Sequence, residues 1–129
     1  MLPGDFVYVD VNGYLVLCAD ADPIIMGMLL EPSHNLGQGH CGDYWLPVAI
    51  ATENTIYSLC IHHAANATEF IAATDMQVAY NTVRHAAGMW VADKDNAGDP
   101  VRIVRFIDPL GTIQGRVGCI VTSPHRQIS

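Results

Sequence analysis

Residues 37–45, GQGHCGDYW, place a cysteine and a histidine side by side among glycines, and these residue types could support nucleophilic or metal chemistry. Cysteine peptidases carry a nucleophile motif C-G-[SA]-C-[WY], here preceded by the expected glutamine and glycine. Gln38, Cys41 and Trp45 fit that spacing, but Tyr44 stands where the nucleophilic cysteine is required. The histidine and asparagine of such enzymes lie about 130–150 residues downstream, and this sequence has 129 residues in all. The segment therefore does not predict a peptidase.

A zinc site is the second chemistry that these residue types suggest. The candidate ligands are His34, His40, Cys41, His62 and His63. Structural zinc sites space their ligands as C-x₂₋₄-C and H-x₃₋₅-H. The candidate ligands here are instead two adjacent pairs, His40-Cys41 and His62-His63, and the isolated His34. Adjacent residues on a strand point to opposite faces, so each pair would supply at most one ligand. Neither a G-x-S-x-G elbow, an H-E-x-x-H helix nor a phosphate-binding loop is present. We predict no catalytic residue, no cofactor and no metal.

The charge of the chain is unevenly distributed along its length. The formal net charge is −7, Lys94 is the only lysine, and no basic residue precedes Arg84. Nucleic-acid binding requires clustered lysine and arginine, so we expect no nucleic-acid partner. An acidic first part with a weakly basic second part could pair with further copies of the chain or with an oppositely charged surface. Chance distribution of charge in a small domain remains the alternative.

Membrane insertion and export are not indicated by the sequence. No apolar run approaches the length of about 18 residues that a membrane span needs. The first residues, MLPGDF, lack the basic and apolar regions of a secretory signal. We therefore expect no membrane partner and synthesis in the cytoplasm. The cysteines Cys18, Cys41, Cys60 and Cys119 show no C-x-x-C spacing and are expected to be reduced thiols.

Short runs rich in β-branched and aromatic residues, separated by turn residues, dominate the chain. They predict an all-β single domain over residues 1–129, a small antiparallel β-barrel or sandwich. Asn12-Gly13 predicts a type I′ hairpin turn. A long loop is expected at about 31–47, at most one short helix within 64–77, and a loose tail over 123–129. The predicted strands are residues 6–11, 14–19, 24–30, 55–63, 78–85, 88–93, 101–107 and 116–122.

Several short motifs built on glycine and aspartate recur along the chain, except in the 31–47 loop. They are Gly4-Asp5-x-Val7, Gly13, Ala19-Asp20-Ala21, Gly27, Ala73-Thr74-Asp75, Tyr80, Gly88-x-Trp90, Asp93 and Gly115-Arg116-Val117. Together they resemble the motifs of the capsid decoration, or cement, proteins of tailed bacteriophages.

The resemblance implies a β-rich structural module without enzymatic activity. Such proteins bind the outer surface of the shell built by the major capsid protein and stabilise contacts between capsomers. They are commonly homotrimers and sometimes dimers, and they reside on the virion. Two alternatives remain open, namely another binding module such as a tail or host-receptor-binding component, and a small enzyme or metal-binding protein.

An interaction surface can be predicted from residue types. Aromatic residues provide large contact areas at interfaces, and the 31–47 loop is too long to serve only as a connection. Exposed ion pairs contribute little, roughly 0–1 kcal/mol each, so the loop should contribute more than the charges. The predicted interface residues are Leu36, Tyr44, Trp45, Leu46, Arg102 and Arg105.

Overall fold

The computed structural model describes residues 1–20, 24–32, 46–62, 68–97 and 100–128. Within these ranges the chain is nearly all β, as the sequence predicts. Short 3₁₀ turns lie at Ala73–Asp75 and Ser123–His125. The strands are β1 Phe6–Val9, β2 Leu15–Leu17, β3 Gly27–Leu29, β4 Val48–Ile50, β5 Tyr57–His62, β6 Ala79–Ala86, β7 Met89–Ala97, β8 Val101–Phe106 and β9 Arg116–Val121.

The first sheet is antiparallel, with the strand order β2-β1-β3-β4. The predicted hairpin joins β1 to β2, but its turn is not type I′. Gly13 has a φ of 85°, and the only described non-glycine residues with positive φ are Gln77 and Gln114. Asp10 Oδ1 instead accepts hydrogen bonds from the backbone N–H groups of Asn12 and Tyr14, both at 2.9 Å. This side-chain turn leaves only Gly13 in a conformation that requires glycine.

The second sheet closes on itself in the order β5-β7-β6-β8-β9. β5 pairs antiparallel with β9 but parallel with β7, through Cys60↔Val91 and its neighbours. The remaining pairs are antiparallel. The parallel pair arises because β6 intervenes between β5 and β7 in the chain and forms a hairpin with β7.

In strand β8 the side chains do not alternate between the two faces of the sheet as the sequence suggests. In VRIVRF, strict alternation would point Arg105 inward with Val101 and Ile103. A register shift between Ile103 and Arg105 inserts an extra residue. Arg105 is therefore exposed, and Phe106 packs against the core. A β-bulge of this kind re-aims the side chains that follow it.

A continuous hydrophobic core contains residues of both sheets. Phe6 on β1 is fully buried and makes edge contacts with Tyr57 on β5 and Trp90 on β7, at ring-centroid distances of 5.2 and 5.4 Å. The predicted burial of Trp90 is confirmed, since 3% of it is exposed. These rings fix the first sheet against the second.

Three local predictions are corrected or fall outside the described residues. Strand β4 was not expected, and it begins directly after the predicted loop, of which residues 33–45 lie outside the description. The helix expected within 64–77 is only the Ala73–Asp75 turn in its described part. The tail is not loose up to Ile128: Ile25 pairs with Arg126, and the Gln127 amide hydrogen-bonds both the N–H and the C=O of Val9, at 2.8 and 2.6 Å.

Candidate interaction surface

The outer face of β8 carries two of the predicted interface residues. Arg102 and Arg105 are both exposed. Arg102 lies opposite Ile120, and Arg105 lies opposite Gly118, on β9. The two guanidinium groups thus extend from one strand of the second sheet, where a partner surface can reach both.

Gly118 allows the stem of Arg105 to lie close to the sheet. A Cβ atom at position 118 would meet Arg105 Cγ at 2.5 Å and Ile56 Cγ2 at 2.8 Å. Ile56 is itself 48% exposed. The side chain of Arg105 therefore packs its methylene groups on apolar surface while its charged end stays accessible, as long basic side chains commonly do.

Three of the four other lysine and arginine side chains in the described ranges form ion pairs, and the fourth, Arg126, is half-buried with an Nε that has no hydrogen-bond partner. Arg84 binds Asp5 at 2.9 Å, Lys94 binds Glu69 and Asp75 at 3.0 Å each, and Arg116 binds Asp108 at 2.9 Å. The positive charges of these three residues are neutralised within the chain. Arg102 and Arg105 form no ion pair with a described residue, so their charge is available to a partner.

A buried carboxylate, Asp5, joins the first sheet to the β6–β7 hairpin. Asp5 is fully buried. It accepts five hydrogen bonds, two from the Arg84 guanidinium and one each from Leu2 N–H, Gly88 N–H and the Trp90 indole, all between 2.9 and 3.1 Å. Burial alone would raise the pKa of Asp5, but these donors outweigh it and hold the pKa far below its usual range. We call Asp5, Arg84, Gly88 and Trp90 the Asp5 cluster.

Two glycines permit the close approach in the Asp5 cluster. Gly4 and Gly88 have φ values of 94° and 72°. A Cβ atom on Gly4 would collide with the carbonyl oxygen of Gly88, and one on Gly88 with that of Pro3. The positive φ values and the backbone contact both require glycine here.

A second polar cluster comprises Glu69, Asp75, Tyr80 and Lys94, which we call the Lys94 cluster. The Tyr80 hydroxyl donates to Asp75 Oδ1 at 2.8 Å, and Ala72 N–H donates to Asp75 Oδ2 at 2.8 Å. Burial acts to lower the pKa of Lys94, but its hydrogen bonds to Asp75 and Glu69 outweigh this and raise the pKa. Burial, and then the bond to Asp75, raise the pKa of Tyr80.

Of the remaining predicted interface residues, only Leu46 lies within the described ranges. Leu36, Tyr44 and Trp45 lie outside the described residues. Leu46 is half-buried and lies two residues before β4 of the first sheet, whereas Arg102 and Arg105 lie on β8 of the second. A joint surface of the loop and the arginines therefore stays a prediction.

Of the five candidate metal ligands, only His62 lies in the described part of the chain. His34, His40, Cys41 and His63 lie outside it. His62 stacks at an angle on His85, with ring centroids 5.2 Å apart, a pairing that the sequence did not predict. No group of three or more possible ligands occurs among the described residues.

A shallow depression lies beside the Asp5 cluster. Its volume is about 180 Å³, and Met28, Cys60, Met89, Trp90 and Arg116 contribute to its lining. Pockets for small molecules usually measure about 300–1,000 Å³ and enclose several convergent polar groups. This depression is too small to suggest a substrate site.

Arg84, Glu69 and Lys94 were missed as structural residues by sequence reasoning. Two signals were available: Arg84 is the first basic residue of an acidic chain, and Lys94 is its only lysine. Charged side chains are almost never fully buried unless they are paired. The identity of each partner, however, depends on contacts between distant segments.

Comparisons with known proteins give no relative: no family model, no curated protein and no solved structure matches the chain. In the described ranges, no helix has both the length and the apolar character that crossing a membrane would demand.

Proposed function

We propose that this protein is a non-enzymatic structural component of a phage virion, which binds the outer surface of the major capsid shell and stabilises contacts between capsomers. It would act as a homo-oligomer, with a trimer favoured. The motifs similar to those of decoration proteins support this proposal. The exposed arginines on the outer face of β8 also support the proposal, because they offer a surface to which a partner can bind.

The matching motifs have structural roles in the fold. Gly4 and Asp5 meet Gly88 and Trp90 in the Asp5 cluster. Asp75 and Tyr80 meet in the Lys94 cluster. Residues that fix one strand against another suit a rigid module whose task is to hold other proteins in place, and they do not require any substrate.

The observation that carries the proposal is the exposure of Arg102 and Arg105 on a chain of net charge −7. Exposed charges that form no ion pair with a described residue favour docking to an acidic surface through attraction and orientation. Such a surface can be provided by the shell or by the acidic first part of a neighbouring copy. Attachment to shells and self-association are therefore measured separately.

The test compares Arg102→Gln/Arg105→Gln with the control Val11→Glu/Ser123→Glu. Both double variants lower the net charge by the same amount, and both control positions are exposed. Binding is measured by co-sedimentation with empty shells of a tailed-phage major capsid protein, and self-association by sedimentation without shells. We expect about 5- to 10-fold weaker attachment or association for the arginine variant at low salt, from pairs worth roughly 0–1 kcal/mol each. The control should bind normally.

A third variant tests the loop prediction. Shortening residues 34–43 to a tight turn should leave the protein folded and abolish attachment, because the aromatic loop is expected to contribute more than the arginines. Normal attachment of this variant, with loss of attachment in the arginine variant, would show that the interface is electrostatic instead. Shells that bind none of the proteins, including the unaltered one, would refute the proposed function itself.

A further inference from the structure

The Lys94 cluster holds an amine between two carboxylates with little access to solvent. Lys94 Nζ lies 3.0 Å from Asp75 Oδ2 and 3.0 Å from Glu69 Oε1. The side chains of Lys94, Glu69 and Asp75 are 13%, 16% and 3% exposed. Nζ also donates to the Phe70 carbonyl at 3.4 Å. An amine and a carboxyl group held in contact and largely away from water are the two reactants of an amide bond.

We propose that Lys94 and Asp75 condense to an intramolecular amide, with Glu69 as the proton carrier. The bond formed joins Lys94 Nζ to Asp75 Cγ. The bond broken joins Asp75 Cγ to one of its oxygens, which leaves as water. Neither an oxidant nor a cofactor is needed, because an ammonium group and a carboxylate together contain all the atoms of the amide and the water.

Asp75 has the environment of an electrophile. Its Oδ1 accepts the Tyr80 hydroxyl and its Oδ2 accepts the Ala72 N–H, each at 2.8 Å. When Nζ attacks Cγ, negative charge develops on Oδ1, where the Tyr80 hydroxyl already donates. Fixed donors aimed at a developing oxyanion stabilise the transition state, and more so in a site with little water.

Glu69 has the position of a proton carrier. Its Oε1 contacts Lys94 Nζ, and its side chain is more exposed than that of Asp75. Its backbone carbonyl accepts a hydrogen bond from Gln114 N–H at 2.8 Å, which fixes the segment. Glu69 Oε1 also accepts the Phe70 N–H at 3.3 Å, a longer hydrogen bond than the two at 2.8 Å that polarise Asp75.

The proton transfers balance in three steps. One proton passes from the Lys94 ammonium to Asp75 Oδ2, against the hydrogen bonds that raise the pKa of Lys94, and this gives a neutral amine beside a neutral carboxylic acid. The amine then attacks Cγ. Glu69 takes a second proton from the nitrogen and delivers it to Oδ2, which departs as water, and Glu69 returns to its carboxylate form. Since the reactants are already in contact, the loss of entropy that slows such reactions in solution is largely avoided.

The first test uses the unaltered protein and needs no variant to fold. Its intact mass, measured after denaturation, should be lower than the sequence mass by one water. Because Lys94 is the only lysine, an amine-reactive label applied to the unfolded chain should find no ε-amino group. Trypsin should not cleave after Lys94, and fragmentation should join its peptide to Asp75. A full mass with a reactive lysine would overturn the proposal, as would a cross-link to Glu69 instead.

Variants test the assigned roles. Lys94→Arg should keep the full mass. Glu69→Gln should slow amide formation by roughly 100-fold or more, the range for a lost acid–base group. Tyr80→Phe should also slow it, whereas Tyr57→Phe removes another buried hydroxyl, bonded to the Ala49 carbonyl, and should form the amide normally. Equal rates in Tyr80→Phe and Tyr57→Phe would refute the oxyanion role, and an unchanged rate in Glu69→Gln would refute the proton carrier.

Discussion

Replacing Asp5 by asparagine should destabilise the protein substantially at neutral pH. Three donors converge on Asp5 Oδ1 and two on Oδ2. The side-chain oxygen of asparagine can accept the three hydrogen bonds that Oδ1 accepts in the unaltered protein. Its NH₂ group would then face two other donors, Leu2 N–H and Arg84 Nη2, and leave both without an acceptor. Each unsatisfied donor costs about 1–3 kcal/mol. Arg84 and Leu2 are 30% and 45% exposed, which allows some rehydration, so we expect a loss of about 2–4 kcal/mol. For a chain of this size, that lowers Tm by about 10 °C.

The pH dependence separates the charge of Asp5 from its shape. The pKa of Asp5 is lowered in the folded state, so its stabilisation is present above the unfolded pKa of about 4 and is lost as pH falls toward the folded value. The difference in Tm between the unaltered protein and Asp5→Asn should therefore shrink below about pH 4.

Thermal unfolding followed by circular dichroism from pH 7 to pH 2 tests this, with Asp10→Asn as control. Asp10 accepts two backbone N–H groups through one oxygen, which asparagine can replace, so Tm should change little. If Asp5→Asn melts at the same temperature as the unaltered protein at pH 7, the ionised carboxylate is not the source of the stability. The same conclusion follows if the lower Tm of Asp5→Asn persists undiminished at low pH.

The remaining predictions concern the core and the turns and use the same melting assay. Trp90→Ala should cost on the order of 3–5 kcal/mol, the range for truncating a buried aromatic residue, and a Tm within a degree or two of the unaltered protein would contradict the observed packing. Gly4→Ala should destabilise more than Gly13→Ala, because both positions have positive φ but only the new methyl group at position 4 meets a backbone atom. Equal effects of the two substitutions would mean that the contact between Gly4 and Gly88 is not tight in solution.

The parts of the fold that could be predicted are those that depend on residues close together in the sequence. Strands such as Val101–Phe106 were predicted because β-branched residues and flanking turns are visible within a short window. The bulge at Arg105 and the parallel pairing of β5 with β7 depend on contacts with other strands. The tail was wrongly expected to be loose because it has few apolar residues, whereas Gln127 binds Val9 through its side-chain amide.

The same distinction applies to the candidate surface and the polar clusters. The exposure of Arg102 follows from alternation with buried Val101 and Ile103. The partner of Asp5 could not be predicted, because Arg84 lies 79 residues away and no local pattern links the two. Lys94 and Asp75 are 19 residues apart, and only the pairing of β6 with β7 and the 3₁₀ turn bring them into contact.

The long-range hydrogen bonds of the first sheet have a consequence for cooperativity. Asp5 is bound to Arg84 of the second sheet, and Val9 is bound to Gln127, 118 residues away. Bonds between such distant residues form only after large loops close, at a cost in chain entropy. A first sheet formed alone would gain neither bond and would expose Phe6, which packs on Tyr57 and Trp90. The two sheets should therefore melt in a single transition, and a calorimetric scan with two separate peaks would show that they unfold independently.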